Sequence, residues 1–64
     1  MKDEQLKEFI GKNCFVEYLD WDEPKEDTMI FERFGRSKAR FNLDGYKLYI
    51  KKSHICKIKE VQDG

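Results

Sequence analysis

Sixty-four residues make one domain, spanning 1–64, whose core is small and whose stability is marginal without a partner, a metal or self-association. Charged side chains make up 41% of the chain, yet Lys+Arg and Asp+Glu number 13 each. That balance alone argues against a nucleic-acid binder, and the distribution argues the other way. Residues 1–27 carry four basic and nine acidic side chains, whereas residues 28–59 carry nine basic and two acidic. A polarised chain creates a local field that net charge misses. Nine aromatics in alternating segments argue against disorder. No apolar run reaches the length of a membrane span, and the charged N-terminus lacks a signal-peptide core. Cys14 and Cys56 lack metal spacing and are too few for a disulfide framework, so a reduced, cytoplasmic setting is expected.

Asp3 to Lys12 reads as a helix with Leu6, Phe9 and Ile10 on one face, capped by Asp3 and ended by Gly11. Asn13 to Trp21 reads as a strand, with Phe15, Leu19 and Trp21 on one side and Cys14, Val16 and Tyr18 on the other. Asp20 to Asp27, with five acidic residues and Pro24, reads as a loop. Thr28 to Phe34 is the second strand, and Gly35-Arg36-Ser37 the turn after it.

Lys38 to Lys51 is a hairpin. Asp44-Gly45 suits a type I′ turn, which needs positive φ at both positions. The turn predicts the pairs Leu43–Tyr46, Asn42–Lys47, Phe41–Leu48, Arg40–Tyr49, Ala39–Ile50 and Lys38–Lys51. Ala39, Phe41, Leu43, Tyr46, Leu48 and Ile50 then face the core. Lys52-Ser53-His54 is a break, Ile55 to Val61 the last strand, and Gln62 to Gly64 a tail. In the last strand Cys56 and Ile58 are expected inward, with Lys57 and Lys59 outward. Five short strands and a short N-terminal helix imply a mainly β fold, a small closed or nearly closed barrel.

The outward hairpin face holds Lys38, Arg40, Lys47, Tyr49 and Lys51. Lys38 opposite Lys51 is a like-charge pair that costs stability. Arg40 is placed to lie on Tyr49, and Lys57 and Lys59 to extend the patch. Such a face attracts phosphates and offers a platform for a base. The plain alternative is a solvated strand face, since edge lysines also discourage edge-to-edge pairing. The acidic stretch Asp20, Asp22, Glu23, Glu26 and Asp27 lacks EF-hand spacing and can meet a basic protein partner, with Trp21 as the anchor, or stay solvated. His54 can switch charge near neutral pH, bond a phosphate or a base edge, or satisfy a local turn. No paired groups of the kind that catalysis needs stand out, and no residue set calls for a metal or cofactor.

The run Ile10-Gly11-Lys12 leading into Cys14-Phe15-Val16-Glu17 resembles the opening of Sm-like proteins. Glu32-Arg33-Phe34-Gly35-Arg36 resembles the turn after the second strand in the bacterial, Hfq-like branch, and Ile50-Lys51-Lys52-Ser53-His54-Ile55 resembles its Tyr-Lys-His turn. The layout covers about residues 6–61. Gly35 stands where that branch has an acidic residue, and Ser53 separates Lys52 from His54. The resemblance implies a five-stranded SH3/Sm-like barrel, assembly into rings through edge strands, and RNA contact by Phe34, Arg36, Lys52 and His54. SH3-like barrels share the strand content and an acidic first loop. The function expected is therefore nucleic-acid binding, RNA first, by a non-enzymatic small barrel. The alternative is a protein-interaction module or small inhibitor using Trp21 and residues 20–27.

Overall fold

The chain runs through helix α1 (Asp3–Lys7), strands β1 (Asn13–Asp20), β2 (Glu23–Phe34), β3 (Lys38–Leu43) and β4 (Tyr46–Lys51), a 3-10 turn (Lys52–His54) and strand β5 (Ile55–Glu60). This computed structural model describes residues 2–62, so the tail read at Gln62–Gly64 lies, beyond Gln62, outside the described residues. All five strands form one antiparallel sheet in the order β4-β3-β2-β1-β5. The fold is mainly β with one short helix. Among the described residues β4 and β5 end the sheet and do not pair with each other.

β2 joins two halves of the sheet. Its residues from Glu23 to Ile30 pair with β1, and those from Ile30 to Phe34 pair with β3, so Ile30 is the β2 residue paired with a strand on both sides. This explains how Pro24 is tolerated inside a strand. It sits opposite Leu19, on a stretch of β2 whose second edge has no described strand partner for the missing N–H to fail. Inward side chains of both halves meet in one cluster. It holds Cys14, Val16 and Tyr18 of β1, Met29 and Phe31 of β2, Ala39 and Phe41 of β3, Ile50, Ile55 and Ile58. The Phe31 and Phe41 rings lie 4.9 Å apart at its centre.

The β3–β4 register matches the pairing expected from Asp44-Gly45 at every position from Lys38↔Lys51 to Leu43↔Tyr46. Both turn residues have positive φ, 50° and 88°. The Asn42 side chain braces the turn by accepting from the Gly45 N–H at 2.7 Å. Ala39, Phe41 and Ile50 are buried, but Tyr46, beside the turn, is exposed.

Four expectations need correction. The stretch 20–27 is not a loop. Trp21 and Asp22 take φ of 50° and 65°, a second two-residue turn with both φ values positive, and the acidic residues continue as β2. Trp21 therefore leaves the side of β1 assigned to it and stands at the turn. Second, the helix ends at Lys7. The chain must swing into the sheet, where Gly11 at φ +82° donates to the Phe31 carbonyl at 2.6 Å. Ile10 is consequently exposed, while Leu6 is fully buried and Phe9 packs on the core. Third, Asp3 does not cap the helix. Lys2 holds that position, and the Asp3 carboxylate accepts from Lys52 Nζ at 2.9 Å.

Fourth, Cys56 points out. The β1–β5 register slips between Glu17↔Lys57 and Tyr18↔Ile55, which leaves Cys56 as an extra residue. Ile55 and Ile58, three apart, are both buried because of it. Both cysteines are free thiols. Burial, and secondarily Glu60, pushes the Cys14 thiol above its usual range, so it stays a small protonated core residue.

A helix of five residues does not persist on its own, so α1 depends on docking Leu6. Leu6→Ala is expected to cost about 2–5 kcal/mol in urea unfolding, against a total on the order of 5 kcal/mol for a chain this short. A loss under about 1 kcal/mol would mean that the sheet halves close over the core without the helix.

Candidate nucleic-acid interface

The outward face of β3 and β4 carries Lys38, Arg40 and Asn42 opposite Lys51, Tyr49 and Lys47. A further cation joins it that sequence reasoning missed. β2 pairs Phe31↔Phe41 and then Arg33↔Arg40, so Glu32 is an extra residue and Arg33 falls on the outward face beside Arg40. The signal was present in the sequence. Phe31 and Phe34 are three apart, and two inward residues at that spacing in one strand require a bulge. Arg33, Lys38, Arg40 and Tyr49 line one shallow cleft of about 420 Å³ with Phe34 and Gly35.

Among the described residues, Glu32 is the acidic side chain that pairs with these cations. Lys47 Nζ donates to its Oε2 at 2.5 Å, and Arg40 Nε stands 2.9 Å from its Oε1. The Arg40 contact is an ion pair without the alignment of a hydrogen bond, and neither of those two buried atoms has another partner. Arg40 is thus drawn onto Glu32 and not, as expected, onto the Tyr49 ring. The Lys47 hydrogen bond, then the Lys47 and Arg40 charges, hold the Glu32 carboxyl below its usual range, against desolvation. Lys38, Arg33 and Lys51 have no ion pair among the described residues.

The positions given by the Sm-like resemblance divide between two places. Phe34 turns inward, edge-on to Phe31 with ring centroids 6.1 Å apart, and Lys52 Nζ lies 5.2 Å above its ring. Lys52 also holds Asp3, so its ammonium is engaged within the fold. Arg36 is exposed in the turn before β3, beside Lys51 and Ser53. The two turns are tied by the Lys52 N–H, which donates to the Ser37 carbonyl at 2.8 Å. His54 lies elsewhere, in a groove of about 440 Å³ between the Trp21-Asp22 turn and β4, where Lys38, Tyr49 and Lys51 form part of the opposite wall. Lys57 and Lys59 sit on β5, at the other end of the strand order, and do not extend the hairpin face. Lys57 pairs across from Glu17, and Lys59 covers the Phe15 ring at 5.5 Å.

The acidic hairpin is only partly free. Lys25 bridges Asp20 at 2.9 Å, and the Tyr18 hydroxyl donates to Asp27 Oδ2 at 2.7 Å. Asp22, Glu23 and Glu26 are exposed, as is Trp21, at 94%. No group of three or more metal-ligating side chains occurs among the described residues, and no helix is long and apolar enough to cross a membrane. Comparison with known proteins gives no match to any family model, any curated protein or any solved structure.

Two titrations follow from these contacts. Burial first, then Asp27, pushes Tyr18 from its usual 10.0 up to about 12. Between those values the folded chain keeps a proton that the unfolded chain has lost, so stability falls as pH rises through that window, by up to roughly 2–3 kcal/mol. Urea unfolding from pH 10 to 12 should show this slope, flattened in Tyr18→Phe. Glu32 behaves oppositely. Its stabilisation is present above the usual 4.5 and lost as pH falls through the lowered folded value. The acid limb of Glu32→Gln should be shallower than that of the parent, and identical limbs would show that the pair with Lys47 is not maintained in solution.

Proposed function

We propose that this chain is a non-enzymatic small barrel, of the SH3/Sm-like kind, that binds nucleic acid, RNA first, on the outward face of β3 and β4. The observation that carries the reading is the register, which gathers Arg33, Lys38 and Lys51 around the exposed Tyr49 ring. Like charges on neighbouring strands destabilise the sheet, and a polyanion relieves that repulsion. The strand order, the 3-10 turn before β5 and the N-terminal helix docked through Leu6 support the barrel type. In this reading β4 and β5 are edges through which copies can add to one another, and the setting is the cytoplasm.

A second reading has one observation in its favour, the exposed Trp21 above the acidic hairpin, which suits a protein partner.

The test is filter binding of mixed RNA and DNA oligonucleotides. Retention should fall steeply with added salt, with a log–log slope of roughly −2 to −3 for three or four neutralised phosphates on a single strand. Arg33→Ala, Lys38→Ala and Lys51→Ala together should abolish it while the far-ultraviolet spectrum stays unchanged. These three are chosen over Arg40 and Lys47 because removing either of the latter strands Glu32. No retention at low salt ends the nucleic-acid reading. One defined protein partner that survives nuclease treatment and is lost in Trp21→Ala favours the second.

A further inference from the structure

The groove beside Trp21 has features that the basic face does not account for. Trp21 occupies a position of φ +50°, a conformation costly for a bulky residue and natural for Asn or Gly. The fold gains almost no buried area in return, because the side chain is 94% exposed. Strain held at an exposed position without a packing reward points to a role outside the fold.

The walls of the groove differ in sign. Lys38 and Lys51 stand on one side with Tyr49, and Asp20 and Asp22 on the other with Trp21. Asp20 is held by Lys25, while Asp22 has no ion pair among the described residues. A basic peptide laid here meets the lysines, and an acidic one meets the carboxylates. A nucleotide suits both walls if its base is the right one. Its phosphate is anionic, and a carboxylate accepts only from the donor edge of a base. Guanine alone offers two adjacent donors, N1–H and N2–H, to the two oxygens of one carboxylate. Adenine, cytosine and uracil offer a single donor group beside an acceptor, which the carboxylate repels. The volume, about 440 Å³, falls within the range of small-ligand sites, roughly 300–1,000 Å³.

Resting on the nucleic-acid reading above, we propose that this groove takes one unpaired guanine of a single strand, between Trp21 and Tyr49, with its N1–H and N2–H edge on Asp22 and its phosphate on Lys38 and Lys51. The strand then passes from the groove onto the outward face, since Lys38 and Tyr49 line both.

The chain's one tryptophan is the reporter, because a base stacked on indole quenches its fluorescence. Short uridine tracts carrying a single central guanosine, adenosine or cytidine are titrated at low salt. The guanosine tract should bind about tenfold tighter than the others, the scale of one bidentate base contact, and quench most. Asp22→Asn should bring the ratio between guanosine and adenosine tracts close to one, even though the lost negative charge strengthens binding of every tract. Trp21→Asn, a residue suited to the turn, removes the reporter, so its binding is read by filter retention of the same tracts. It should fold normally and lose the preference. Salt-sensitive binding with equal affinity for all tracts overturns the guanine site and leaves the basic face standing. Absence of binding by any tract overturns the reading on which the site rests.

Discussion

One inserted residue, Glu32, sets the face of everything beyond it in β2. Strand side chains alternate, so an unbroken β2 that buries Met29 and Phe31 would also bury Arg33 and expose Phe34. A cation at that inward position would have no partner in an apolar cluster and would cost far more than the bulge does. With Glu32 extra, Phe34 returns to the core against Phe31, and Arg33 turns out beside Arg40. Glu32 itself keeps the outward direction that alternation already gives it, and its carboxylate meets Arg40 and Lys47. The return of Phe34 to the core and the outward turn of Arg33 thus follow from a single register slip.

The internal counter-charge decides which cations remain available. Arg40 and Lys47 are bound to Glu32, and a ligand phosphate must compete with a carboxylate already in contact. Lys38, Arg33 and Lys51 face no such competition. Exposed ion pairs are worth little in general, but Glu32 is shielded and bridges two cations, so its contribution is to hold the strand face together against repulsion. The sheet tolerates the crowding because one anion sits in its middle. On the proposed reading a second, external anion completes the neutralisation.

Short-range signals were legible in the sequence, and signals that depend on a partner strand were not. Asp44-Gly45 carries its own φ requirement, so the whole β3–β4 register could be written down from two residues. Trp21-Asp22 adopts the same kind of turn without the residues that announce it, and the acidic stretch therefore resembled a loop. The bulges at Glu32 and Cys56 were encoded as apolar pairs three apart, Phe31 with Phe34 and Ile55 with Ile58. Counting parity through those pairs places Arg33 and Cys56 outward. The early end of α1 was not encoded locally. Leu6, Phe9 and Ile10 have helical spacing, but the demand that Gly11 reach the Phe31 carbonyl is a tertiary one and overrides it. For the candidate site, the hairpin face was readable, whereas the separation of His54 from Phe34 and Lys52 needed the path of the 3-10 turn.

The polarity of the chain acquires a spatial meaning from these two hairpins. Six of the nine acidic residues in 1–27 fall in the β1–β2 hairpin, and Lys38, Arg40, Lys47 and Lys51 fall in β3 and β4. The groove is where the tip of the first meets the face of the second. A face of lysine and arginine alone retains any polyanion by counterion release, which carries no information about sequence. A carboxylate wall at the edge of such a face repels the backbone and accepts only a donor edge, so in the proposed mode it subtracts affinity from most bases and adds it for one. On the proposed reading, zero net charge favours selectivity. On that same reading, long-range attraction to nucleic acid in bulk is small, and binding would rest on the few contacts that a correctly placed base and its phosphate make together.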